Sequence, residues 1–192
     1  MPTGNIVDTL DGVNATCIDC GNPCVIVQAA DFDVNGTILP AKLDSRSDIL
    51  SHLDSIRKKA SVAMGLSKDE NTAPESVPKI VMVSKSSTHE LISSETLTSD
   101  SMDIVVRAIS VRQPHRAVPI TVALAIAAAS KLQGSIVQVN LSKTPSDPDG
   151  ITLGHPSGRI VVGAKFDEQG VVISGTVYRT ARRLMEGQVY WK

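Results

Sequence analysis

Aromatic residues are scarce in this chain. Its 192 positions hold one Trp, two Tyr and two Phe, 3% in all. That shortage argues against the aromatic platforms on which nucleic-acid bases or sugar rings stack. Neither sign of charge is in surplus: Lys and Arg number 19, Asp and Glu 20, and the net charge is −1. A nucleic-acid or membrane-surface partner calls for a basic field, and none is encoded. Long apolar runs are missing as well. The most apolar stretch, residues 122–129, falls far short of the roughly 20 residues of a membrane span. The first residues carry neither an apolar core nor an Arg-rich amphipathic stretch, so no signal or transit peptide is read there. Only three cysteines occur, Cys17, Cys20 and Cys24, an odd number in one short window. That is no disulfide framework, and the simplest setting is a reducing cytoplasm, with the mitochondrion left open. The nearest histidine to those thiols is His52. On a strand Cys17 and Cys20 would face opposite ways, so a metal site is not expected. P-loop, GxGxxG, HExxH and Ser-His-Asp patterns are all absent, and no cofactor is implied.

What the chain does have is Val, Ile, Leu and Ala, enough for one domain spanning residues 1–192. Residues 13–20 and 24–29 read as short strands around Gly21-Asn22-Pro23. Residues 44–64 form the clearest amphipathic helix. Asp44 is placed to cap it, Arg57, Lys58 and Lys59 to complement its dipole, and Gly65 to end it. A polar loop follows at 67–78, then a buried strand at 79–84 and a segment poor in structure signals at 86–101. Residues 103–109 suit strand or helix. Pro119 opens an Ala-rich helix to Ala129 that is apolar all round, so protein must surround it. The rest reads as β, at 135–141, 151–153, 159–163, 171–178 and 184–190. An α+β fold follows, with a mostly antiparallel, barrel-like sheet curled around a buried central helix.

Three loops carry candidate chemistry. Gly21-Asn22-Pro23 is either a plain tight turn or a turn that presents Asn22 and backbone N–H groups to an anion. His115-Arg116-Ala117-Val118-Pro119-Ile120-Thr121 leads into the buried helix, whose first N–H groups need internal caps or an anion; Thr121 is a cap or a ligand contact. His155-Pro156-Ser157-Gly158 is a turn in which Ser157 and the Gly158 N–H would also cradle a carboxylate. His115 and His155 read more readily as structural than catalytic.

Taken in order, several motifs resemble one family. They are Pro2-Thr3-Gly4-Asn5-x-x-Asp8, Asp19-x-Gly21-Asn22-Pro23, Ala60-Ser61-Val62-Ala63-Met64-Gly65-Leu66, His115-Arg116-Ala117 before Thr121, His155-Pro156-Ser157-Gly158, and Arg182-x-Leu184-Met185-Glu186-Gly187. Together they look like the PrpF family of 2-methylaconitate isomerases and 4-oxalomesaconate tautomerases. The resemblance implies a diaminopimelate-epimerase-like fold, in which two similar domains flank a cleft. It covers essentially the whole chain, but only as the family's second domain. The Cys and Lys implicated in proton transfer belong to the first domain, and nothing here matches them; Cys20 does not take that role. By resemblance, then, the chain is the substrate-binding half of a cofactor-independent isomerase acting on a small unsaturated polycarboxylate, a tricarboxylate such as 2-methylaconitate, by double-bond migration or cis/trans isomerisation through proton transfer. Asn22, Pro23, Thr121, Ser157 and Gly158 would hold carboxylates. The partner would be a first-domain chain or a second copy. The alternative is an inactive fragment or paralogue that binds polycarboxylates or mediates interactions. One departure stands out: the family usually has Gly after the Thr that opens the central helix, and here it is Val122, which would narrow an anion's approach.

Overall fold

The computed structural model describes residues 1–179 and 182–191. Its β-branched runs pair into one nine-stranded sheet. Strand β1 (Asp8–Leu10) turns through Asp11-Gly12 into β2 (Val13–Asp19), which turns back into β3 (Pro23–Gln28). Helices α1 (Pro40–Asp44) and α2 (Ser47–Ala63) carry the chain to β4 (Lys79–Lys85), which runs parallel to β3. A small hairpin, β5 (His89–Glu90) and β6 (Thr96–Leu97), stands apart. Strand β7 (Ile104–Ser110) lies antiparallel to β4 and turns into the two-residue β8 (Gln113–Pro114). Helices α3 (Ile120–Ala129) and α4 (Ile136–Asn140) lead to β9 (Ile151–His155), parallel to β7. Strands β10 (Gly158–Phe166) and β11 (Val172–Tyr178) finish the sheet as antiparallel neighbours. The order is β1-β2-β3-β4-β7-β9-β10-β11, with β8 on β7.

The middle strands are buried on both faces, so successive residues serve different cores. Cys17, Val25, Val27, Ile80 and Met82 pack beneath Leu53, Ile56 and Ala60 of α2. Ile18, Cys24, Ile26, Val81 and Val83 face the other way, towards α3. That helix touches β2 on one side and β10 and β11 on the other, so the sheet wraps it. Its alanines let the strands come close, and all but Ile120, Thr121 and Leu124 are buried. This is the curled sheet around a central helix that the sequence implied.

Several elements differ from expectation. Residues 135–141 form α4, not a strand. The Ser135 hydroxyl accepts a hydrogen bond from the Gln138 N–H and so caps a helical turn. Ile136 and Val137 are buried against the inner core. The long helix from residue 44 is broken: α1 ends at Asp44, and α2 begins at Ser47 with Arg46 as its uncapped N-cap. Asp44 therefore caps nothing, and Asp48 supplies the acidic group of the first turn. Gly65 does end the helix, at φ +73°. Its N–H bonds the Val62 carbonyl and the next N–H bonds Ser61, a pattern that favours glycine. Arg57 is buried, not solvated; it bonds Asp54 and the carbonyls of Pro74 and Val77, tying the 67–78 loop to the helix. Residues 103–109 settle as strand. Residues 184–190 form no strand: Leu184, Met185, Val189 and Tyr190 stand in solvent beyond β11, and Trp191 is 95% exposed.

Candidate functional site

The two ends of α3 are treated differently. At its C-terminus two hydroxyls satisfy the last carbonyls: Ser130 Oγ donates to Ala127 O and Ser135 Oγ to Ala129 O, at 2.7 and 2.6 Å. At its N-terminus Pro119 is the N-cap residue and no side chain caps the helix. The first intrahelical bond is from the Ala123 N–H to Pro119 O. The N–H groups of Ile120, Thr121 and Val122 therefore point out of the helix at its positive end. Val122 does not obstruct them: its side chain is 1% exposed and lies in the inner core.

The structure brings two of the sequence-predicted loops together at this end. Asn22 Nδ2 donates to Thr121 Oγ1 at 3.3 Å. Gly21, at φ +77°, lets the β2–β3 turn present Asn22 and hold Pro23 at the first position of β3. Thr121 accepts from Asn22, so its own hydroxyl proton is free to donate outward. The third loop joins through the segment before α3. Ser157 Oγ donates to Arg116 O at 2.5 Å, and Ser157 N–H donates to His155 Nδ1 at 3.3 Å. Ser157 thus pins the Pro156-Ser157 turn to the entry of α3. Its hydroxyl proton already has an acceptor, which departs from an open cradle at Ser157-Gly158.

Sequence reasoning missed Lys79 and Ser110. Strand register places Lys79 opposite Cys24, two residues after Asn22, and β4 aligns with the end of β7. Lys79 Nζ donates to Ser110 Oγ. Burial and then the nearby Lys79 hold His115 below the usual imidazole range, which keeps it neutral. A cation, a hydroxyl and a neutral imidazole thus gather at the same sheet end. Only the pairing of β3, β4 and β7 discloses this, because no local motif links residues 79, 110 and 115.

The thiols are held protonated. Burial pushes Cys17 and Cys24 up to about 12, and Cys20 is raised by burial and by Asp19. Among the described residues no group of three His, Cys, Asp or Glu side chains is placed to hold a metal ion. No helix among them is long and apolar enough to cross a membrane. The N-terminal motif proves structural: Asp8 accepts hydrogen bonds from Thr3 Oγ1 and Asn5 Nδ2, at 2.7 and 2.8 Å.

A large, mostly antiparallel sheet wrapped around an Ala-rich helix with an uncapped N-terminus defines an α+β domain of the diaminopimelate-epimerase-like class. The crystal structure of methylitaconate-Δ-isomerase matches it with a TM-score of 0.86 and 31% identity, over 97% of this chain and 50% of that one. The family model described as PrpF protein matches residues 1–192, and the chain belongs to that family. Among relatives, 2-methyl-aconitate isomerase of Shewanella oneidensis is 36% identical over 98% of this chain and 50% of its own length. The 3-methylitaconate isomerase of Eubacterium barkeri is 33% identical, over 99% and 52%. The 4-oxalomesaconate tautomerase of Pseudomonas putida is 29% identical, over 98% and 48%. The chain spans about half the length of the curated relatives it matches.

Proposed function

We propose that residues 1–192 are a single domain supplying the carboxylate-holding half of a cofactor-independent isomerase of unsaturated tricarboxylates such as 2-methylaconitate. One observation carries the reading: Asn22 meets Thr121 at the uncapped N-terminus of the buried helix. Its family membership and its relatives' names supply the substrate class. In this reading Asn22, Pro23 and Thr121, with the N–H groups of the first turn of α3, bind one carboxylate. The Ser157-Gly158 turn holds the neighbouring wall in place. Lys79 adds a cation.

The chemistry is migration of a double bond. A base removes a proton from the carbon next to the alkene, and the electron pair delocalises through the alkene onto a carboxylate. An acid then returns a proton at the far carbon, so composition is unchanged. The hard step is the build-up of negative charge, which donors fixed around the carboxylate stabilise. None of the three cysteines here is poised as that acid or base. We assign the pair to a first-domain partner, and the compartment to the cytoplasm.

The test mixes this chain with the complementary half of a full-length relative and follows 2-methylaconitate by proton NMR in D2O. Isomerisation with deuterium uptake is expected from the mixture and from neither half alone. Turnover by this chain alone, or activity unaffected by Thr121→Val, would overturn the assignment.

A further inference from the structure

A cavity of about 550 Å³ adjoins the segment that enters α3, with Ala117 and Val118 in its wall. His155, Arg159, Arg179, Asp147 and Tyr178 are its charged and titratable lining. His155 is only 9% exposed. Its Nδ1 takes a hydrogen bond from the Ser157 N–H. A backbone N–H can only donate, so Nδ1 carries the lone pair and the ring proton sits on Nε2. That Nε2 has no hydrogen-bond partner among the described residues, nor is it a fully enclosed atom. It opens on the cavity as an unused donor. Arg179 adds charge: it lies close enough to influence His155, and its guanidinium makes no hydrogen bond or ion pair among the described residues. Arg159 is already engaged with Ser101 O. Burial holds His155 down to about 4, with Arg107 and Arg179 contributing, so the ring is a neutral donor at pH 7.

We propose that His155 Nε2–H and the Arg179 guanidinium form a second carboxylate subsite, which selects acids bearing a further carboxylate. The proposal rests on the polycarboxylate reading above and deepens it by naming the residues that recognise the extra acid group. A neutral N–H donor beside a free guanidinium suits a carboxylate, because it offers one neutral and one charge-assisted hydrogen bond. Ala117 and Val118, from the same segment that delivers Thr121, connect the subsite to the helix N-terminus.

The test is calorimetry of the chain with cis-aconitate, a tricarboxylate, and with mesaconate, a dicarboxylate. Arg179→Gln and His155→Gln are expected to weaken cis-aconitate by about tenfold while leaving mesaconate within about twofold. Arg179 is exposed, so its variant keeps the fold even if His155→Gln does not. On the unaltered protein, ring 15N spectra should show His155 as the Nε2–H tautomer, with that proton shifting when cis-aconitate is added. Parallel losses for both acids, no loss for either, or an Nδ1–H tautomer would overturn the subsite. If Thr121→Val abolishes binding while the other two variants change nothing, this proposal alone falls. If the unaltered chain binds neither acid, the reading beneath it falls too.

Discussion

Asn22 Nδ2 and Thr121 Oγ1 lie 3.3 Å apart although 99 positions separate them in the chain. This contact closes the β2–β3 turn onto the first turn of α3. Thr121 is exposed and Asn22 half-buried, so neither contributes much to the core. Asn22→Ala and Thr121→Val are each expected to change stability by less than about 1 kcal/mol. Each should weaken cis-aconitate binding about tenfold, and the double variant should lose less than the product of the two. Urea unfolding and calorimetry on the same preparations check both halves; strictly independent losses would show that the pair does not act on the ligand as a unit.

Val111 sits in the two-residue turn between β7 and β8 at φ +50°, with Arg112 at +60°. A β-branched side chain is strained there, and Asn tolerates that conformation far better. Val111 is 49% exposed, so little packing is lost on replacement. Val111→Asn should stabilise the protein by about 1 kcal/mol and raise Tm by about 2–4 °C. A scanning calorimeter would read this directly.

Acid should destabilise the fold before the carboxylates titrate. Burial lowers His155 to about 4, and His89 and His115 are lowered as well. The unfolded chain then binds more protons than the folded one between about pH 6.5 and the folded values, so stability falls as pH falls. From pH 7 to pH 5 the His155 contribution is about 2 kcal/mol. Urea titrations at both pH values should show that loss, and His155→Gln should reduce it.

Arg107 lies in β7, buried and without a carboxylate partner among the described residues. It donates to the carbonyls of Thr37, Ile38 and Val106, at 2.9, 2.7 and 2.9 Å. The guanidinium fork thereby fastens the segment before α1 to the sheet. Arg107→Leu leaves those carbonyls unpaired and should cost about 3 kcal/mol in urea unfolding. Lys cannot reproduce the fork, so Arg107→Lys should recover only part of that loss.

The thiols offer a simple count. In the folded protein a disulfide-exchange reagent should modify Cys20 slowly and leave Cys17 and Cys24 untouched, because burial keeps both protonated. All three should react once the chain is unfolded. Rapid labelling of three thiols in the folded state would contradict the packing of β2 against β3.

Much of the fold was legible where one signal dominated. The stretch before Gly134 is rich in Ala, has a proline at its entry, and has no polar face to lie on a surface. The paired turns at Asn22 and Ser157 follow from Gly and Pro chemistry. Residues 135–141 misled because Ile136, Val137 and Val139 favour β by side-chain shape. The stronger cue was Ser135 three residues before Gln138, a helix-start pattern. Residues 184–190, with Leu184, Met185, Val189 and Tyr190, also read as β, yet apolar character alone names no pairing partner. At the candidate site, Asn22 and Thr121 were visible as local motifs. Lys79, Ser110 and the aim of His155 Nε2 were not, because strand register and hairpin geometry place them.

The two faces of the central strands carry different cores, one under α2 and one around α3. Neighbouring residues such as Cys17 and Ile18, or Val25 and Ile26, therefore answer to different helices. The α2 layer acts as insulation. Substitutions beneath it can be traded and repacked without reshaping the wall that holds Thr121, so drift in stability on that side is decoupled from drift in ligand choice on the other.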